Sequence, residues 1–343
     1  MKNTLVVLVL LSVFVSSCST KFKVGADYKE VTVVYGLLSM SDTAHYIKIT
    51  KGFFDEKLNN LELAQNPDSI YFSDLEVKVE SLINGNVAET LPLTKVDLVL
   101  EGYPKAPGTF ATIPNYAYKF KKTLDPTRTY RLKIKNNLTG KEVQGETSII
   151  TSSSSVFKFI KPSDPLEPIN FADNQNPFAF IWRGPSTAAF YDVVVRFRYQ
   201  ELDQTTNDTT YIEKDITVAK NIPTTGGELS ASVSSVDFFK QLNSALGDAP
   251  LSIKRYVDTP GLMILGGGQA LKTYIEVNAA QGGITYDQIK PNYTNLSGGD
   301  VFGLFSTRGQ IIMNEINFTG ATVDSIRNGV YTQNLRIVGI SDK

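Results

Sequence analysis

The amino-acid sequence predicts an all-β protein built as two β-sandwiches, the second carrying one short helix. Three observations predict it. Apolar residues recur with a period of two along much of the chain, turn residues interrupt them at short intervals, and a single segment keeps helical spacing. Alternation of this kind describes strands with one face toward a core and the other toward water, as in antiparallel sheets.

The elements follow in chain order. Val31, Val33 and Tyr35 share one strand face, and His45, Ile47 and Ile49 share another. Leu75, Val77 and Val79 form a third apolar face, with Glu76, Lys78 and Glu80 pointing away. Tyr130, Leu132 and Ile134 alternate with Arg131, Lys133 and Lys135. Turn signals lie between them at Asn84-Gly85-Asn86, 104–108, Asp125-Pro126 and Thr139-Gly140. Short strands with such punctuation predict a first sandwich over 28–150.

Residues 151–177 change character. Thr151 and four serines open the segment, Pro162, Pro165 and Pro168 follow, and Asp173-Asn174-Gln175-Asn176-Pro177 closes it. Few of these residues can join a ladder, apart from one short strand at 156–160, so the segment is expected to link two domains.

The second sandwich is expected over 178–343. Phe178, Phe180 and Trp182 share a face. After the Gly184-Pro185 turn, Tyr191, Val193, Val195, Phe197 and Tyr199 line one side of a long strand. A tryptophan strand followed by Tyr-x-Val-x-Val resembles the start of immunoglobulin-like and fibronectin-III-like modules, which implies aromatic packing between two sheets. Ser234 or Ser235 can cap a helix near 235–246, because Val236, Phe239, Leu242 and Leu246 fall at helical spacing before Gly247. Residues 262–265 and 271–277 flank Gly266-Gly267-Gly268-Gln269 as an expected hairpin, and a strand is expected at 335–340.

The N-terminus points to export. Lys2 precedes an apolar run over 5–15, broken only by Ser12 and too short for the roughly 20 residues of a spanning helix. Val15-Ser16-Ser17-Cys18 resembles the bacterial lipobox, which implies a signal peptide over 1–17, lipid on the Cys18 thiol, and a tether over 18–27. Cys18 is the only cysteine, so it has no internal disulfide partner. Each buried methylene of an attached acyl chain contributes about 0.8 kcal/mol, enough for two or three chains to hold a soluble domain on a membrane.

Composition narrows the function. Lysine plus arginine number 34 against 35 acidic residues, which leaves no global basic field for nucleic acid. His45 is the only histidine and is expected at the sandwich rim, which sets aside Ser-His-Asp triads, Cys-His dyads and multi-histidine zinc sites unless another chain contributes. Gly266-Gly267-Gly268 and Gly298-Gly299 lack the Gly-Lys-Ser/Thr continuation of phosphate loops and are expected to be turns. Asp173–Asn176 and 203–208 are oxygen-rich without the EF-hand order of ligands. The acids Asp42, Asp55, Glu56, Asp97, Glu101, Asp287 and Asp300 sit beside turn or polar residues, and no pair among them stands out for glycoside hydrolysis. Tyr103, Tyr116, Tyr286 and Tyr293 lie near Pro, Gly or Asn and are candidate contacts for a ligand.

A wider resemblance is carried by several segments. They are Val33-Val34-Tyr35-Gly36-Leu37-Leu38 with His45-Tyr46-Ile47-Lys48-Ile49; Asp68-Ser69-Ile70-Tyr71-Phe72; Tyr130-Arg131-Leu132 with Glu146-Thr147; and Asn295-Leu296-Ser297-Gly298-Gly299 with Val301-Phe302-Gly303-Leu304-Phe305. Together they resemble an uncharacterised family of Bacteroidota cell-envelope lipoproteins, a domain of unknown function often found beside TonB-dependent receptors. The resemblance implies an outer-membrane lipoprotein with a β-sandwich core and no catalytic residues to carry over. Ser19-Thr20-Lys21 after the cysteine leaves periplasmic and surface-facing orientations open. The expected function is a non-catalytic binding or assembly accessory without cofactor or metal. Its partners would be the membrane, an outer-membrane receptor or other envelope protein, or a glycan, and not nucleic acid. A glycan-directed envelope hydrolase and a structural or adhesion subunit are the alternatives.

Overall fold

The computed structural model describes residues 31–52, 60–224, 227–280 and 293–340. Cys18 and the tether lie outside them, as do Asp55, Glu56, Tyr286 and Asp287.

Along the chain, β1 (Val31–Ser39) and β2 (Ala44–Gly52) precede two short helices, α1 (Asn60–Gln65) and α2 (Pro67–Ile70). Then come β3 (Leu75–Ile83), β4 (Asn86–Pro92), β5 (Thr94–Asp97), β6 (Tyr116–Lys121), β7 (Thr129–Asn136), β8 (Glu142–Ser148) and β9 (Lys158–Lys161). The second half holds β10 (Phe178–Arg183), β11 (Phe190–Asp203), β12 (Thr209–Pro223), β13 (Glu228–Val233), α3 (Ser235–Leu246), β14 (Ile253–Val257), β15 (Gly261–Gly267) and α4 (Gln269–Ala280). It ends with β16 (Leu296–Ser297), β17 (Val301–Met313), α5 (Gly320–Asn328) and β18 (Ile337–Ile340).

The fold is all-β and of sandwich type. One large sheet runs in the order β18-β14-β11-β15-β17-β1-β2-β6-β5, with β12 beside β11. The sheet β16-β8-β7-β3-β4 supplies side chains to one core together with β1, β2, β6 and β17, and β13-β10-β9 supplies a second together with β11, β12, β14 and β15. The alternation locates most of these side chains. Val77, Val79, Tyr130, Leu132 and Ile134 are buried in the first core, and Phe180, Trp182 and the five expected residues of β11 in the second. Trp182 meets Tyr191 edge to face with ring centroids 5.8 Å apart, the aromatic packing expected between sheets. Asn84 and Gly85 take φ of 50° and 80° in the β3–β4 hairpin, as a two-residue turn matching strand twist requires.

The cores do not follow the expected split at 151–177. Leu296, Val301 and Phe305, expected in the second domain, pack in the first core, because β1 pairs in parallel with β17 from Thr32↔Val301 to Ser39↔Arg308. The rest of β17 pairs with β15, and Met313 reaches the second core, so one strand serves both. Ile149 and Ile150 are fully buried neighbours that point into different cores. The Ile150 amide donates to Thr307 Oγ1 (3.2 Å), which donates to the Leu38 carbonyl (3.2 Å). Within 151–177 the expected short strand forms as β9 and joins β10.

Three further differences have local causes. The inward face of β1 is Val34 and Leu38, not Val31, Val33 and Tyr35: the run is apolar on both faces, so alternation alone does not choose between them. The expected hairpin after Gly266 is strand then helix, since 269–280 forms α4. Beside the expected α3, capped by Ser234 as read, the second half also contains α4 and α5. α5 is capped by Thr319, whose hydroxyl accepts from the Thr322 amide.

Candidate functional site

The face of the large sheet turned away from the first core is where aromatic and cationic side chains gather. Because β1 is apolar on both faces, Val33, Tyr35 and Leu37 project outward, and register puts Tyr35 opposite Lys48, Val33 opposite Thr50 and Tyr46 opposite Lys119. Tyr35 is 44% exposed and Leu37 36% exposed, well above what a buried-core strand shows.

Two hollows lie on this face on either side of Tyr35. One, of 490 Å³, is lined by Val33, Tyr35, Lys48, Thr50, Lys51, Gly52, Ile70, Tyr71, Lys105 and Phe110. The other, of 410 Å³, lies between β1, β2 and α4, where Leu271, Tyr274 and Arg308 join Tyr35, Leu37 and Tyr46. Volumes of this order are typical of small-ligand sites. α4 reaches the face because Gly267 and Gly268 allow close passage: a Cβ on Gly267 would lie 2.2 Å from the Phe190 ring, and one on Gly268 2.9 Å from Thr307. Tyr274 then donates to Tyr35 Oη at 3.2 Å.

Lys48 is the half-buried centre of the larger hollow. Its ammonium donates to Tyr71 Oη (3.0 Å) and to Asn115 Oδ1, and it stands 5.0 Å from the Tyr71 ring centroid. Burial and the neighbouring Lys105 push its pKa down to about 8, against the opposing pull of Asp97. Lys105 donates to the Ala111 carbonyl (3.1 Å) and lies over Phe110, and Lys51 donates to the Asp68 carbonyl (2.9 Å). At the far edge, Glu101 accepts from Tyr46 (2.9 Å) and from Lys119, and these hydrogen bonds, Lys119 first, hold its carboxyl below the usual range.

The residues singled out from sequence fall in several places. His45 is a buried residue of β2 on the core side, stacked on Phe120 with centroids 4.8 Å apart. Its Nε2 donates to the Lys122 carbonyl (2.9 Å), Nδ1 has no partner, and burial lowers its pKa. Tyr103 is exposed and packs edge to face on Tyr46, whereas Tyr116 packs against Ile70, Tyr71 and Ala111. Tyr293 lies beside β16, away from both in sequence. Among the acids, Asp97 and Glu101 meet in one turn, but Asp97 Oδ1 accepts from the Val99 and Asn115 amides, and Glu101 is held as above. Asp42 pairs with Arg308 (3.1 Å). Asp173 accepts from the Asn176 side chain and from the Gln175 and Asn176 backbone amides, and Asp203 from the Thr205 hydroxyl and amide, which lowers both carboxyls. Gly298 and Gly299 form the expected turn with φ of 97° and 82°, while Gly266 and Gly267 end a strand.

Sequence reasoning passed over Tyr35, Tyr46, Lys48, Lys51, Lys105 and Phe110. For Tyr46 and Lys48 a signal was present, since they alternate with His45, Ile47 and Ile49 and must occupy the opposite face. A scan against protein-family models finds no match, and a search of curated proteins finds none.

Proposed function

We propose that the chain is a cell-envelope lipoprotein, anchored by lipid on Cys18, that acts as a non-catalytic binding or assembly accessory, with an outer-membrane TonB-dependent receptor or another envelope protein as its partner. The observation that carries the binding reading is the outer sheet face, where Tyr35 and Phe110 stay 44% and 47% exposed around concave ground and Tyr103, 56% exposed, packs on Tyr46. Exposed aromatic rings give large contact area at low entropic cost. Asp97, Glu101 and Asp42 on that face are engaged by amides, a tyrosine, a lysine and an arginine, which suits a binding surface better than proton transfer. An anchor confines this face near the membrane and raises its effective concentration toward partners there.

Two measurements test the reading. Metabolic labelling with a fatty-acid probe is expected to mark the chain and to be lost in Cys18→Ser; unchanged label refutes the attachment site. Purification of the lipidated chain from solubilised envelope is expected to bring one partner in stoichiometric amount, and recovery of the chain alone counts against the accessory role.

A further inference from the structure

Charge pairing is uneven over the described residues; on this outer face Lys119 pairs with Glu101 and Arg308 with Asp42. Several cations have a carboxylate within reach: Arg131 pairs with Glu80 and Glu146, Arg196 with Asp215, Arg198 with Glu213, Arg255 with Glu201, and Lys122 with Glu89. The three lysines lining the 490 Å³ hollow differ. Among the described residues, Lys48, Lys51 and Lys105 donate to carbonyl, amide and phenol oxygens, and none forms an ion pair with a carboxylate. Asp97 acts on Lys48 from nearby, but its Oδ1 is committed to two backbone amides. Among the described residues no acidic side chain lines the hollow, and its remaining walls include Val33, Tyr35, Ile70 and Phe110.

Three ammonium groups beside one apolar concavity match a ligand with a negative head and an apolar body. We infer that this hollow binds a small amphipathic organic anion, its carboxylate or phosphate held by Lys48, Lys51 and Lys105 and its apolar part against Tyr35, Ile70 and Phe110. An ammonium has three donors, and Lys48 spends two on Tyr71 and Asn115, which leaves one for the anion. Charge-assisted hydrogen bonds to the head are stronger than the neutral ones they supplement, and more so in a half-buried site. Burial first, and Lys105 second, lower the pKa of Lys48, and an anion bound beside it would favour its charged form. This inference rests on the reading of the outer face as a binding surface and names its ligand class.

The test uses three probes with one apolar body: 4-phenylbutyrate, its neutral amide, and 4-phenylbutyl phosphate. Titration of the isotope-labelled chain, followed by amide chemical shifts, is expected to show one or both anions binding at least tenfold more tightly than the amide, with shifts clustered at 33–35, 48–52, 70–71 and 105–110. The carboxylate and phosphate arms decide which head is preferred. Lys48→Met with Lys105→Met is expected to bring the ratio of anion to amide affinity close to one, and Lys48→Arg is expected to retain the tenfold preference. Unaltered Trp182 emission confirms that the variants fold. Equal binding of amide and anions overturns the anion inference but leaves the hollow as a binding site. Absence of binding by all three at millimolar concentration overturns the inference, whereas the envelope-partner reading then stands or falls on co-purification.

Discussion

Arg255 offers the sharpest test of how the second core is held together. Its side chain is 6% exposed, yet it carries a charge, and the surroundings account for every direction it points. The guanidinium donates to Glu201 Oε1 (2.8 Å), to the Gly247 carbonyl (2.8 Å) and the Leu246 carbonyl (3.4 Å) at the end of α3, and to the Leu335 carbonyl (3.3 Å). It also lies 5.4 Å from the Tyr199 ring centroid. It thus closes the C-terminus of a helix, where orphan carbonyls favour a cation, and ties that helix to the last strand. Arg255→Ala leaves Glu201 without its partner and three carbonyls without a donor. Breaking a buried pair from one side costs about 3–5 kcal/mol, and since Glu201 keeps 23% exposure the lower end applies, about 3 kcal/mol. With a urea dependence of about 3 kcal/mol per molar, the unfolding midpoint falls by about 1 M. Trp182, the only tryptophan and fully buried in the same core, reports the transition by its emission. Glu201→Gln in the Arg255→Ala background is expected to recover part of the loss, because the uncompensated charge is gone. A midpoint shift under about 0.3 M, or no recovery, refutes the account.

Other outcomes follow from single positions. Gly303 has φ of 100°, and a Cβ there would lie 1.9 Å from the Val34 carbonyl oxygen, so Gly303→Ala is expected to cost about 3 kcal/mol or more by breaking the β1–β17 pairing. Gly299→Ala, with φ of 82° and open space around it, is expected to cost only about 1 kcal/mol; equal losses in urea melts disprove the steric argument. His45 is held neutral by burial and by Arg308, against the Lys122 carbonyl and Asp42, so its folded pKa lies below the unfolded 6.5. The unfolded chain therefore takes up the proton first: stability from this group is complete above 6.5 and falls as the pH drops below it, by at most about 1.4 kcal/mol per pH unit. His45→Gln is expected to flatten that acid-side slope, and parallel slopes for the two proteins would falsify the burial argument. At the hollow, Lys48 faces Lys105, Asp97 and Tyr71, and its pKa near 8 means that the ammonium is lost as pH rises. A bound anion lifts that value, so anion affinity should decline on the alkaline side of 8, and an affinity constant across that range contradicts it.

Much of this architecture was legible residue by residue. The alternation at 191–199, the aromatic strand ending at Trp182, the helix from Ser235 capped by Ser234, and the Asn84-Gly85 turn all report local burial and local backbone geometry, and each stands where the pattern puts it. The reading weakened where the pattern carried two meanings. Val33 to Leu38 is apolar on both sides, so the inward face was decided by packing in the core shared with the β16-β8-β7-β3-β4 sheet. Residues 269–280 mix apolar and polar residues without a dominant period, and their helix packs onto the outer sheet face through Leu271 and Tyr274.

The sequence by itself determined the strand-rich class, the positions of most core side chains, and the Cys18 motif from which the anchor is proposed. Tertiary structure decided the parallel pairing of β1 with β17, the sharing of that strand between two cores, and the gathering of Lys48, Lys51 and Lys105 beside Tyr35 and Phe110. The reason is range. Periodicity records how each residue meets its immediate environment, whereas the Thr307 hydroxyl bonds a carbonyl 269 residues away, and no local pattern encodes which distant segment will supply the partner.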